Sequence, residues 1–285
     1  MDAMYEQLRI TKTSDALWRV AFRNPPINLI GPQMVIELRA LLDELESNDR
    51  VAVVLFESDD PEFFLAHWDI ASDPALVNDL PAGPTGAHPW VDILTRLSRL
   101  PLITVSAIRG RARGAGSEFA LATDIRFASR ERAVLAQFEM GTGAVAGGGP
   151  STRLPRLVGR GRALEILVSA ADFDGELAER YGYVNRSIPD AEFEAFVTAF
   201  VERVSAFDVR ALQEVKAFVN SVSLPPEDEF PPQMEAFWTS VSRPETQDRA
   251  QQMFAFGLQQ RGHTELDLGD ALTEIKLPPA VPRTR

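Results

Sequence analysis

Nine residues constrain this chain more than any other stretch. Gly110-Arg111-Ala112-Arg113-Gly114-Ala115-Gly116-Ser117-Glu118 follows the apolar run Leu102-Ile103-Thr104-Val105-Ser106-Ala107-Ile108 and leads into a helix-like segment from Glu118 to Asp124. The pattern predicts a strand, a tight turn of small residues and a helix start. Gly114, Ala115 and Gly116 let the backbone come close to a ligand without a side chain in the way. Free N–H groups at a helix start attract negative charge. If that charge develops only during a reaction, the same geometry is an oxyanion hole. The alternative is a turn that uses glycine for its dihedral angles alone. The stretch has neither Gly-x-x-x-x-Gly-Lys-Ser/Thr nor Gly-x-Gly-x-x-Gly, so it matches no phosphate loop or dinucleotide fingerprint.

The flanking sequence sets the class. Residues 5–22 alternate in part, with Leu17, Val20 and Phe22 as inward candidates, and predict two strands around a polar turn at Thr13-Ser14-Asp15. Asn24-Pro25-Pro26-Ile27-Asn28 is a rigid connector, since proline forbids helix and strand interiors. After Gly31-Pro32, the residues Met34, Ile36, Leu38, Leu41, Leu42 and Leu45 recur at helical spacing. Val51–Phe56 is a continuous apolar run of the kind buried on both faces in a parallel sheet. Strand, helix, strand points to an α/β fold. A long Pro- and Gly-containing loop runs from Ser72 to about Pro89, and Trp90–Leu100 is helical. Asp124–Ala128 and Val134–Phe138 predict short strands, followed by a second small-residue turn over 141–150 and one helix over 154–170. From Glu176 the pattern is nearly all helical, with one apolar stripe over Phe193–Val204 and another over Leu212–Val219. The expected organisation is a core over residues 1–190, a helical region over 191–275 and a disordered Pro-rich tail over 276–285.

Composition excludes several chemistries. A net charge of −12 argues against general nucleic-acid or anionic-membrane binding, although a local basic pocket would be invisible in that sum. The absence of cysteine removes disulfides, thiolate metal sites and a cysteine nucleophile. His67, His88 and His263 are the three histidines and form no metal-ligand spacing, so no metal is expected. No run approaches 18 apolar residues and no leader pattern opens the chain, so a cytoplasmic setting is expected.

Several motifs in order carry a resemblance: Asn24-Pro25-Pro26, then Ala66-His67-Trp68-Asp69-Ile70, Gly114-Ala115-Gly116 ahead of Asp124, Gln137-Phe138-Glu139, and Gly147-Gly148-Gly149 before Ser151-Thr152-Arg153-Leu154. Over roughly residues 5–190 the chain resembles the crotonase superfamily, the enoyl-CoA hydratases and isomerases in particular. The resemblance implies a crotonase-like spiral of strand-strand-helix repeats with a C-terminal helical region. It also implies a homotrimer or homohexamer and an acyl-CoA thioester substrate. Coenzyme A enters as part of that substrate, and no separate cofactor is implied.

The resemblance also assigns roles. The oxyanion-hole N–H groups fall on Trp68 and Ala115, and because the donor is backbone, alanine at 115 is a mild change. In the first loop, His67 stands where relatives carry glycine. If that glycine has positive φ, His67 bears strain there. Trp68 places a large ring beside the thioester, although alone it would read as a core anchor. Ala66, His67, Asp69, Ile70, Gly114, Gly147 and Gly148 are the expected substrate-binding positions. Relatives often carry a lysine after Asp-Ile, near the nucleotide; here Ala71 and Ser72 follow.

Glu118 and Glu139 occupy the two glutamate positions of the family's hydratases. There one carboxylate activates water for attack at Cβ and the other supplies a proton to Cα. Burial would raise either carboxyl toward working pH. Phe138 replaces a proline common in relatives, next to Glu139. Arg153, Arg156, Arg160 and Arg162, and more weakly Lys216, are candidates for coenzyme A phosphates, against the usual solvated role of surface arginines. The leading expectation is a lyase that hydrates a conjugated acyl-CoA. Its rivals are double-bond isomerisation through Glu139, hydration with retro-aldol cleavage of an aromatic enoyl-CoA, and non-catalytic acyl-CoA binding.

Overall fold

The structure is a computed structural model, and it describes residues 5–274. The expected tail at 276–285 lies outside the described residues. The chain opens with the predicted antiparallel pair, β1 (Leu8–Lys12) and β2 (Leu17–Phe22), followed by α1 (Pro32–Glu46). Val35 rather than Ile36 lies on the buried face of α1; Ile36 is 45% exposed. Strands then alternate with helices in a regular way. β3 (Val53–Ser58) and β4 (Phe63–Leu65) precede α2 (Ala75–Asn78) and α3 (Pro89–Arg99). β5 (Ile103–Ile108) and β6 (Arg111–Arg113) precede α4 (Ala115–Ala122). β7 (Ile125–Ser129) and β8 (Val134–Ala136) precede α5 (Glu139–Thr142), α6 (Pro150–Val158) and α7 (Arg160–Ser169).

The first strand of each turn enters one sheet and the second enters another. The six-stranded sheet runs β1-β2-β3-β5-β7-β10, with β10 (Arg186–Ile188) at its edge. The four-stranded sheet runs β4-β6-β8-β9, with β9 (Phe173–Asp174) at its edge. From β2 to β10 the larger sheet is parallel, which explains the continuous apolar run at Val53–Phe56 and the mostly apolar, buried Ile103–Ile108. This is the expected crotonase-like α/β spiral of strand-strand-helix repeats. Its main core holds Phe22, Phe56, Phe64 and Phe119, and the Phe22 ring meets Phe64 and Phe119 edge-on at 5.2 and 5.3 Å.

Three local expectations need correction. Arg111–Arg113 lies inside the anticipated turn yet pairs with both β4 and β8, because the neighbouring strands supply ladder partners that local sequence cannot reveal. Residues 154–170 form two helices, since Gly159 at φ +80° cannot continue the first. The stretch after Glu176 includes β10. The helix α8 (Gly175–Tyr181) precedes β10, and α9 (Asp190–Ser205), α10 (Val209–Ser223), α11 (Pro231–Val241), α12 (Pro244–Phe256), α13 (His263–Leu266) and α14 (Leu268–Ala271) follow it. The α9 stripe packs on the larger sheet, where Phe193, Val197 and Val201 are buried against Leu55, Val105 and Phe127. Most of the α10 stripe stays uncovered, with Val215 62% and Phe218 75% exposed, while Leu212 packs against the same core.

Candidate active site

The two loops predicted to carry backbone donors meet at the end of β4. The Asn24-Pro25-Pro26 connector is tied down through buried Asn28, whose side chain accepts from Asn24 N–H at 2.7 Å and donates to Ser58 Oγ at 2.8 Å. This places Ile30 beside the first loop. Ile30 N–H donates to His67 O at 2.9 Å and Asp69 N–H donates to Ile30 O at 2.8 Å. Alternation along this short bridge turns the Trp68 N–H away from Ile30, and it has no hydrogen-bond partner among the described residues. Ala115 N–H, the first of α4, is likewise unpartnered among them. Gly116 is what brings the two loops together. A Cβ there would stand 2.0 Å from Leu65 O, so only glycine lets α4 start against the end of β4. The close approach it permits is to protein backbone.

His67 is not strained: positive φ among non-glycine residues falls on Asn28, Ala170 and Gln259. The loop bridges Ile30 at Trp68, and backbone outside the positive-φ region suits any side chain. Its ring is fully buried between two partners. Nδ1 donates to Trp68 O at 2.8 Å, since a carbonyl can only accept, and Nε2 lies 2.9 Å from Glu265 Oε1. The imidazole and a Gln259 N–H bond hold the Glu265 carboxyl below its ordinary range, against the opposing effect of burial. The pair ties the first loop to α13, and Gln259 Nε2–H reaches Asp69 Oδ1 at 2.9 Å from the same segment.

Glu118 is buried on α4. Its Oε2 accepts from Trp90 Nε1–H and its Oε1 from Gly148 N–H, both at 2.8 Å. Burial raises its carboxyl, opposed by those two donors and by the charge of Arg153. Arg153 is itself buried, donating to Ser98 Oγ at 2.9 Å and Leu94 O at 3.3 Å under the Phe230 ring. The Arg153 side chain is therefore not a solvated surface charge. Arg156 pairs instead with Glu229, and Lys216 with Asp124. Glu139 opens α5, with an enclosed Oε2 that has no partner among the described residues. Burial, and then the negative charge of Glu118, push its carboxyl up to about 8.

Both glutamates line one cavity of about 290 Å³, together with Trp68, Asp69, Ile70, Ala115, Gly147 and Gly148. Ala66, His67 and Gly114 stand behind this wall rather than on it. Phe138 packs on the His67 ring at 5.1 Å, and the Glu139 side chain still reaches the cavity. Part of the wall went unnoticed in the sequence. Trp90 lies in the first turn of α3, and Phe237, Trp238 and Phe254 come from α11 and α12. Nothing in the local sequence of those helices ties their aromatic residues to the glutamates. Among the described residues, no cluster of three or more His, Cys, Asp or Glu side chains is arranged to hold a metal.

Residues 12–261 match the enoyl-CoA hydratase/isomerase family profile. The chain resembles a crystal structure of an enoyl-CoA hydratase candidate from Streptomyces avermitilis at 44% identity, covering 97% of this chain and 99% of that one with a TM-score of 0.91. It is 28% identical to YngF of Bacillus subtilis, an enoyl-CoA hydratase/isomerase candidate, over 68% of this chain and 73% of that protein. It is 31% identical to the mitochondrial methylglutaconyl-CoA hydratase of Mus musculus over 55% of this chain, where the match spans about half of that relative (49%). No helix among the described residues is long and apolar enough to cross a membrane.

Proposed function

The chain belongs to the enoyl-CoA hydratase/isomerase family of the crotonase superfamily, and from that premise we propose that it adds water across the conjugated double bond of an acyl-CoA thioester. The thioester oxygen takes the unpartnered N–H groups of Trp68 and Ala115. Glu118 removes a proton from water as its oxygen bonds to Cβ. The electron pair of the double bond moves onto the thioester as an enolate, which the two N–H groups stabilise. Protonated Glu139 then delivers its proton to Cα, and transfer of the proton gained by Glu118 resets the pair.

The observation that carries this reading is the unequal pairing of the two carboxyls. Glu118 accepts two N–H bonds and faces Arg153, which oppose the rise that burial imposes on its carboxyl. Glu139 has an oxygen with no donor and sits near pH 8 as an acid. One base and one acid in one cavity suit hydration. Isomerisation through Glu139 alone is the second reading, favoured by its unshared carboxyl. The homotrimer or homohexamer belongs to the proposal and is read by light scattering.

The test is turnover of a panel of enoyl-CoA thioesters, followed by loss of conjugated-thioester absorbance, with Glu118→Gln and Glu139→Gln alongside. Collapse in both variants supports hydration by two glutamates. Survival in Glu118→Gln moves the assignment to isomerisation. Binding without turnover of any thioester overturns both and leaves a non-catalytic acyl-CoA-binding protein.

A further inference from the structure

Four aromatic rings on the cavity wall, Trp68, Phe237, Trp238 and Phe254, are only half-buried. Rings that served the core alone would be covered by neighbouring side chains, as Phe22 and Phe119 are. The wall rings leave apolar surface turned into the cavity, and a guest gains by covering it. Two edge-on pairs organise this wall. Trp68 meets Trp90 at 5.7 Å, and Phe237 meets Trp238 at 5.1 Å.

The rings stand next to the carboxylate. A Cβ on Gly147 would lie 3.0 Å from Phe237 Cβ, and one on Gly148 would lie 2.1 Å from Glu118 Oε2. Two glycines of backbone therefore separate the Phe237 ring from the Glu118 carboxyl. Charge narrows the guest further. The wall carries Asp69, Glu118 and Glu139, and among the described residues no Lys or Arg. His88 adds no charge, because Nδ1 accepts from Trp90 N–H at 3.3 Å and Nε2–H donates to Asn78 Oδ1 at 2.9 Å. An acyl group with a second carboxylate would meet three acids and no cation. At about 290 Å³ the cavity also sits at the small end of ligand pockets, which run from roughly 300 Å³ upward, and so favours a compact group over a long chain.

We propose that the acyl group is an uncharged aromatic ring conjugated with the thioester double bond, as in a cinnamoyl-type enoyl-CoA. The proposal rests on the hydratase reading. Water contributes hydroxyl to the ring-bearing Cβ and a proton to Cα, so the product is a 3-aryl-3-hydroxyacyl thioester.

The experiment compares cinnamoyl-CoA, crotonyl-CoA and glutaconyl-CoA, the last being the diacid case. It measures kcat/KM by absorbance and binding to Glu118→Gln by tryptophan fluorescence. Three of the four tryptophans (Trp68, Trp90 and Trp238) line the cavity, so quenching reports occupancy without chemistry. The expected result is kcat/KM for cinnamoyl-CoA at least tenfold above both others, with the cinnamoyl-to-crotonyl ratio reduced about tenfold in Phe237→Leu and Trp238→Leu. Equal or better use of crotonyl- or glutaconyl-CoA overturns the proposal. So does an unchanged ratio in both variants. If no thioester turns over but cinnamoyl-CoA binds at least tenfold tighter than crotonyl-CoA, the ring preference stands and the hydratase reading falls. No turnover and no difference in binding overturns both.

Discussion

Gly148→Ala should inactivate the protein through a residue it does not itself contain. Gly148 lacks the positive φ that would reserve it for glycine, so the backbone accepts alanine. The added Cβ is the problem: it would sit 2.1 Å from Glu118 Oε2 and 2.9 Å from Trp90 Nε1, where ordinary contact begins at 3.4 Å. The carboxylate must withdraw by roughly an ångström, and its 2.8 Å bonds from Gly148 N–H and Trp90 Nε1–H then lengthen beyond hydrogen-bond range. Each bond to a charged group contributes about 1.5–3 kcal/mol, so together they outweigh the cost of moving one side chain to another rotamer, about 1 kcal/mol. The loss of their geometry removes the general base. A positioned base contributes about 10²–10⁴ in rate, so kcat should fall at least 100-fold.

The assay is hydration of the preferred thioester, with Gly147→Ala as the control. There the new Cβ meets the Phe237 side chain, at 3.0 Å from Cβ and 3.1 Å from Cγ, and Met234 Cε at 3.4 Å, and a few tenths of an ångström relieve it. The double variant Gly148→Ala/Glu118→Gln should be no slower than Glu118→Gln alone, since both remove the same group. Retention of a third of wild-type kcat by Gly148→Ala would refute the reasoning, as would multiplicative losses in the double variant.

Glu139 makes stability depend on pH. Its carboxyl, 4.5 in an ordinary setting, is held up to about 8, so the folded protein keeps a proton that the unfolded chain releases. Its contribution is complete below about pH 4.5 and is lost as pH rises through 8, so Tm should decline over that window and Glu139→Gln should flatten the decline. Glu265→Gln takes the carboxylate away from the buried His67 Nε2; it should cost about 1–3 kcal/mol in denaturant unfolding, and His67→Gln/Glu265→Gln should recover part of that loss. A double variant as unstable as the sum of the singles would show that the two are not coupled. Lys216 donates to Leu102 O and Asp124 and lies off the cavity wall. Lys216→Met should lower Tm while leaving KM for the thioester unchanged, whereas a raised KM would place Lys216 on coenzyme A.

Much of the fold is local, and local patterns reported it. The apolar runs at Val53 and Ile103, the helical spacing of α1 and α3, and the small-residue turn before Glu118 each follow from the residues that form them. The short strands β6 and β10 escaped because three residues owe their extended shape to ladders with distant strands. The site divides in the same way. Glu118, Glu139, Trp68 and Ala115 were legible as motifs, since backbone approach and carboxylate chemistry demand particular residue types at particular turns.

What those groups face was decided only in three dimensions. Trp90 was one residue of a helix until its indole met Glu118, and Arg153 looked like surface until α6 carried it behind the same carboxylate. His67 looked strained until Ile30 pulled its loop straight and Glu265, 198 positions away, closed on its ring. The residue types at a site are written in the chain because chemistry selects them one at a time. Their protonation and the shape of the cavity belong to the fold, because burial and field are sums over neighbours that sequence order does not bring together.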